Sequence, residues 1–309
     1  MNQYGLMTVA LPSGTEILLT RDFRAPRRVV FDMFSKAGYL KQWLSGPEGW
    51  LMTACEVSLT VGGAYRYRWL SPDAVPMSVH GRYLEVVAPA RLAMTERYDD
   101  PWYPGEARIV VDLANNGPVT SLWYTITYET QIARDMALQS SLPASMSASF
   151  DRLDHVLDAP LVTDFTPQHI ATIHVTVPRQ QIQQVMGPGI QELMATVDAQ
   201  GIATTGPWFT HHLRMHPDSF DFEIGVPVAS PVAPTGRVVP GRRPATHVAR
   251  VVHHGPYEGL SNTWGSFAEW ITANGFTAAD DLWEVYAIGP ESSDDPRQWR
   301  TELYRPLTG

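Results

Sequence analysis

Near the C-terminus, Asp281-Leu282-Trp283-Glu284-Val285-Tyr286-Ala287-Ile288 sets one carboxylate inside an apolar, aromatic run. The run reads as a strand, and alternation puts Leu282, Glu284, Tyr286 and Ile288 on one face. A carboxylate there is costly unless a cation, a hydrogen-bond donor or a ligand meets it. Three resolutions are open at this point. Arg250 or Arg300 forms a structural ion pair with Glu284, or Glu284 lies at a solvated strand end, or it serves a binding or catalytic site.

Other residues with chemical potential lack the company that chemistry needs. His212 and His216 are four apart, but with His211 they lie in a strand-like segment running into Pro217, without a carboxylate or cysteine to complete a metal set. His253-His254 precedes Gly255-Pro256, where one histidine can orient the turn. Cys55 is the only cysteine, so an intramolecular disulfide is excluded, and its strand-like surroundings suit a small apolar residue better than a nucleophile. Gly187-Pro188-Gly189 precedes helical residues without the rest of a phosphate-loop signature, and neither a Gly-x-Ser-x-Gly elbow nor a His-Glu-x-x-His motif is present. No metal and no cofactor are implied.

The elements that must position Glu284 lie in a chain of 309 residues, long for one core, so two domains are expected. Its 10 Trp and 12 Tyr exceed ordinary packing needs and point to small-molecule pockets. A formal charge of -9 without a basic cluster argues against nucleic-acid binding. The first residues lack a signal-peptide pattern and no apolar stretch approaches membrane-spanning length, so a soluble, cytoplasmic protein with no membrane partner is expected. Lys36 and Lys41 are the only lysines among 23 basic residues, a bias that suggests a GC-rich bacterial genome.

In the first half, a strand at 16–23 leads to a short helix opened by Pro26, with Val30, Met33 and Phe34 at helical spacing. A second short helix carries Tyr39, Leu40, Trp43 and Leu44 and stops at Gly46-Pro47. Residues 51–128 then read as an antiparallel meander punctuated by Gly62-Gly63, Pro89 and Asn115-Asn116-Gly117. Met136, Leu142, Met146, Phe150, Leu153 and Leu157 predict one long amphipathic helix, interrupted by Pro143, around which the sheet curls. Residues 159–167 read as a boundary. Beyond it come a strand at 170–177, a helix at 182–200 closed by Gly201, and strands at 208–213 and 220–226. Residues 228–244 read as a long exposed loop; a strand at 246–252, a helix at 260–274 and strands at 283–288 and 300–304 follow. The order β-α-β-β, repeated, predicts a pseudo-duplicated α+β domain with two helices on one face of an antiparallel sheet.

The first half resembles the START-like (SRPBCC) helix-grip domains, in the branch named for the activator of the heat-shock-protein ATPase. The resemblance rests on Ala25-Pro26, Val30-Phe31, Gln42-Trp43, Gly46-Pro47-Glu48-Gly49 and Val61-Gly62-Gly63-Ala64-Tyr65-Arg66. It continues through His80-Gly81-Arg82-Tyr83, Glu85-Val86, Pro89-Ala90-Arg91-Leu92 and Thr95-Glu96. It implies an apolar cavity between the sheet and the C-terminal helix. The second half resembles the GyrI-like effector-binding domains through Phe222-Glu223-Ile224-Gly225-Val226-Pro227, Pro244-Ala245, Ala249, His254-Gly255-Pro256-Tyr257 and Trp264. Trp270-Ile271, Asn274-Gly275, Trp283-Glu284-Val285-Tyr286 and Thr301-Glu302-Leu303 complete it. The expected fold class is therefore α+β, a START-like helix-grip domain at 1–158 followed by a GyrI-like domain at 167–309.

The second resemblance implies that Glu284 lies in an aromatic pocket, facing cationic or polar groups of flat, hydrophobic drugs. The expected function is capture of such drugs or natural products, giving antibiotic resistance or self-protection by sequestration. Trp208, Trp264, Trp283, Tyr286 and Glu284 are the ligand-binding candidates. Alternation prevents Trp283 and Glu284 from pointing straight into one pocket, which makes Trp283 the weaker of the two. The alternative, implied by a hydrolytic subset of the family, opens a strained cyclopropanoid natural product. There Glu284 is general base on water and Tyr257 or Tyr286 donates a hydrogen bond to the departing group. A chaperone-cofactor role is suggested by the name of the first family alone. A hydrophobic small molecule is the one partner expected; oligomeric state is open.

Overall fold

Ile17, Leu19, Arg21 and Phe23 are buried while the residues between them are half-exposed, the period of a strand with one wetted face. This is from the computed structural model of the protein, which describes residues 5–116 and 119–308. The chain divides into two units between Leu157 and Asp158.

The first unit opens with β1 (Thr8–Ala10) and β2 (Glu16–Phe23), then helices α1 (Arg27–Ser35) and α2 (Ala37–Trp43). The meander is β3 (Leu51–Val57), β4 (Ala64–Leu70), β5 (Pro76–Val87), β6 (Arg91–Tyr98), β7 (Ala107–Asn116) and β8 (Val119–Tyr128), followed by α3 (Gln131–Gln139) and α4 (Leu142–Asp158). The sheet order is β1-β2-β8-β7-β6-β5-β4-β3, so the first long strand closes against the last. Phe150, Leu153 and Leu157 bury one stripe of α4, and the Phe150 ring meets Phe23 edge-on at 5.8 Å. Arg21, buried on β2, donates to Asp151 at 2.7 Å and to Asp154, which ties the strand to α4. Arg152 donates to the carbonyls of Trp43 (3.1 Å) and Gly46 (2.8 Å), which ties the same helix to the end of α2.

The single long helix expected from Met136 to Leu157 is two helices. Thr130 caps α3, accepting from the Ala133 N–H at 3.1 Å, and Pro143 falls in the first turn of α4, where a missing N–H breaks nothing. Met136 sits on α3, 43 % exposed and outside the buried stripe. The six-residue gap after it marked the break.

The second unit contains β9 (Leu161–Phe165), β10 (Gln168–Pro178), α5 (Ile182–Ala199), β11 (Phe209–Met215), β12 (Ser219–Val228), β13 (Val239–Arg243), β14 (Thr246–His254), α6 (Leu260–Ala273), β15 (Leu282–Ile288) and β16 (Arg300–Pro306). Both β-α-β-β units are present, with β11 and β15 paired at the centre of one antiparallel sheet, ordered β13-β10-β12-β11-β15-β16-β14-β9.

Two expectations are corrected here. The boundary segment carries β9, and the expected exposed loop carries β13 and buries Val232 and Val238. Each of these extra strands precedes one repeat in sequence but pairs with the first strand of the other: β9 with β14, and β13 with β10. The repeats thus exchange their leading strands, and each caps an edge that would otherwise be open. Gly187-Pro188-Gly189 lies inside α5.

Among the described residues, no helix is long and apolar enough to cross a membrane.

Candidate functional site

The sheet of the second unit sorts its side chains by parity. On one face, Phe165, Ile170, Phe209, Val248, Trp283 and Tyr304 form a core. On the other, α5 packs over β10 and β12 through Ile182, Val185, Met186 and Ile190, and α6 packs through Phe267 and Ile271 with Leu303. Between the helices a cavity of about 1280 Å³ opens above β11 and β15. Glu284 faces Thr210 across that central strand pair, so its carboxylate stands on the cavity floor.

Neither candidate arginine reaches Glu284. Arg250 is paired with Glu302 (Nη2–Oε1 3.0 Å; Nε–Oε2 3.1 Å), and Arg300 with Asp158 at 2.7 Å. Two neutral donors meet Glu284 instead. The Trp264 indole N–H donates to Oε1 at 2.8 Å and the Tyr286 hydroxyl donates to Oε2 at 2.7 Å. Its side chain is only 13 % exposed, so it does not lie at a solvated strand end. Burial, with the adjacent Glu284 charge, holds the Tyr286 phenol well above its ordinary range, so Tyr286 donates and does not ionise.

The loop that brings Tyr257 to the rim is built by a histidine. His253, buried at the end of β14, contacts the Pro256 carbonyl at 2.9 Å and the Thr263 hydroxyl at 2.8 Å, clamping the turn onto α6. Gly255 between them has φ +105°, a conformation that only glycine adopts without strain. A Cβ at Gly259 would come within 2.9 Å of the His253 ring. Tyr257 then packs edge-on to Tyr286 at 5.5 Å, and Trp208, just before β11, stacks on Tyr286 at 3.9 Å with 12° between the planes. Burial first, and Glu291 and Glu284 second, push the Tyr257 phenol up to about 12. Its hydroxyl has no hydrogen-bond partner among the described residues.

Of the residues singled out in the sequence, Trp208, Tyr257, Trp264, Glu284 and Tyr286 line this one cavity. Trp283 does not, and that assignment is corrected. Its ring lies on the opposite face of the sheet, 5 % exposed, stacked on His211 at 3.8 Å, because β15 is regular there and neighbours alternate. Burial disfavours the charged form of His211, but hydrogen bonds with Asp281 (2.9 Å) and Glu223 (3.1 Å) outweigh it and raise its pKa.

One cavity residue was missed. His212 points opposite to His211, into the cavity, with Nε2 3.9 Å from Glu284 Oε2 and no partner on Nδ1 among the described residues. Burial lowers its pKa, against the pull of Glu284, so the imidazole is neutral at pH 7. The signal was available: His212 shares strand parity with Thr210, two positions away. Because His211 and His212 face opposite ways, they cannot share one metal ion.

A curled antiparallel sheet with two helices over one face, and between them an aromatic cavity with the Glu284 carboxylate on its floor, defines a small-molecule-binding architecture. The families agree. Residues 24–158 match the Activator of Hsp90 ATPase homolog 1-like protein family, and residues 159–308 match the GyrI-like small molecule binding domain. The chain carries one domain of each, in that order. A protein from Rhodobacter sphaeroides of known structure is 27% identical over 49% of this chain and 97% of its own (TM-score 0.47). Protein Ms6760 from Mycobacterium smegmatis is 19% identical over 49% of this chain and 98% of its own (0.45). EcmrR, solved in complex with DNA, is 21% identical over 58% of this chain and 72% of its own (0.44). No curated protein matches the chain.

Proposed function

We propose that the second unit captures flat, hydrophobic, cationic drugs or natural products, and so protects a cell by sequestration. One observation carries this reading: Glu284 stands on the floor of a 1280 Å³ aromatic cavity held by two neutral donors and paired with neither of the arginines, Arg179 and Arg305, that also line it. A planar cation supplies the missing charge and stacks against Trp208 and Tyr286. Titrating the protein with rhodamine 6G, followed by tryptophan quenching, tests it. Charge-assisted contacts contribute ~1.5–3 kcal/mol, so Glu284→Gln should weaken binding roughly 10- to 100-fold. A planar neutral dye should bind both proteins alike. Equal affinity of the two proteins for rhodamine 6G would sink the proposal.

His212 and Tyr257 favour a second reading, a hydrolase acting on a strained, electrophilic ring. Water attacks the ring carbon and gives a proton to Glu284, with His212 beside the same carboxylate. The breaking ring bond's electron pair is protonated by Tyr257, and Glu284 returns its proton through solvent to the phenolate. Loss of product formation with retained ligand affinity in Glu284→Gln supports this reading; loss of affinity alone removes it.

A further inference from the structure

The first unit has a cavity of its own, about 320 Å³, between its sheet and helices α2 and α4. Tyr65, Tyr67 and Trp69 of β4, Tyr98 of β6 and Tyr124 of β8 supply aromatic walls. Among them stands one ionisable group of another kind. Glu96 lies on β6 between Met94 and Tyr98 in the alternating series, and all three side chains line the cavity.

Among the described residues, no lysine, arginine or histidine lines this cavity, and no hydrogen bond or ion pair engages the Glu96 carboxyl. The nearby Tyr65 hydroxyl is already committed, donating to the Thr95 carbonyl at 2.7 Å. Burial alone pushes the Glu96 carboxyl up to about 7. A half-buried carboxylate that opens onto an aromatic cavity with neither cation nor donor is costly, and a methionine-sized apolar side chain would occupy the same position without that cost. The carboxyl therefore answers to something that enters the cavity.

We propose that this cavity binds a small aromatic amine, whose ammonium group pairs with Glu96 inside a cage of tyrosine rings. Carboxylate and ring faces both attract a cation, and no basic side chain competes for either. The volume lies at the lower end of ligand pockets, which suits a body of one or two rings. The titratable groups facing Glu96 are Tyr65 from β4, Tyr98 from β6, Tyr103 from the following loop, and Tyr124 and Tyr128 from β8. Burial holds all five phenols above their ordinary value, so they stay neutral from pH 6 to 8 and Glu96 alone changes charge.

The test is calorimetric titration of the full chain with tryptamine and with 3-ethylindole, a neutral compound of similar shape. Tryptamine should bind and 3-ethylindole bind at least tenfold more weakly. An aliphatic ammonium stays protonated up to about pH 10, so tryptamine affinity should rise about tenfold from pH 6 to 8 as Glu96 ionises. Glu96→Gln should remove both the preference and the pH slope, while Glu284→Gln keeps them. Equal binding of the two compounds would reduce the site to a purely apolar cavity and overturn the proposal. Loss of tryptamine binding in Glu284→Gln alone would place the amine in the second unit and overturn it as well. If Glu96→Gln does not fold, the wild-type preference and pH slope decide.

Discussion

Glu284 and Glu96 stand in different domains in the same predicament, a carboxylate on the cavity face of an antiparallel sheet, among aromatic rings and with no arginine paired to it. They differ in what the sheet offers them. Glu284 receives an indole N–H and a phenol O–H, which stand in for water at both its oxygens. Glu96 receives no donor among the described residues, and burial drives it up to about 7. Glu302 completes the series. Behind the second sheet, it takes two contacts from Arg250 and one from the Tyr304 hydroxyl. Burial opposes its ionisation, but the attraction of Arg250 prevails and lowers its pKa. The same side chain is structural where its partner is a fixed cation, and a candidate binding group where the cation is missing. The cavities themselves differ in size, about 1280 and 320 Å³.

Removing the fixed partner should do the greatest damage. Glu302→Ala takes its carboxylate partner from the buried Arg250, an expected loss of ~3–5 kcal/mol in chemical denaturation, whereas Glu284→Gln should cost less than about 1 kcal/mol there. If the two variants are equally unstable, the division between structural and binding glutamates fails. In ligand titrations the effect belongs to the cavity residue, with Glu284→Gln losing roughly 10- to 100-fold in rhodamine 6G affinity. Glu96 predicts a third behaviour, a variant more stable than the parent. Its folded pKa lies above the unfolded value, so its contribution is favourable in acid and lost as pH rises through about 7. Glu96→Gln should therefore raise stability by ~1–3 kcal/mol at pH 8 and leave it nearly unchanged at pH 4, read from Tm at the two pH values. Glu302 has the opposite sign: its lowered pKa contributes stability above the unfolded carboxyl range that is lost as pH falls through the folded value. The smallest effect belongs to the stacking ring. Trp208→Ala should weaken rhodamine 6G roughly two- to tenfold, from the ~0.5–1.5 kcal/mol of an aromatic pair.

Local signals in the sequence were read in proportion to how local they were. Both β-α-β-β repeats and the short α1–α2 pair follow from periodicity and breakers within a dozen residues. β9 and β13 escaped because each is five residues long and pairs with a strand more than sixty residues from its own position. The gathering of Trp208, Tyr257, Trp264 and Tyr286 around Glu284 came from family resemblance, since nothing in their spacing places them together. Alternation already weakened Trp283, and the stack with His211 on the far face shows why. Glu96 went unremarked as a site because Leu92, Met94, Glu96 and Tyr98 look like any half-buried strand. Only the tyrosines of β4 and β8, brought in by the curl of the sheet, make that carboxyl conspicuous.

For Glu284, then, the sequence alone determined the face of the strand and the need for a partner, because the period of two is a property of the backbone itself. Which partner, it could not decide. Arg250 and Arg300 were equally plausible in the sequence, and the register between β14, β15 and β16 committed one to Glu302 and left the other on Asp158. Charge pairing acts over a few ångströms in space, and the chain sets those distances only when distant strands close into a sheet. That closure left two cavity carboxylates with no arginine or lysine paired to them among the described residues.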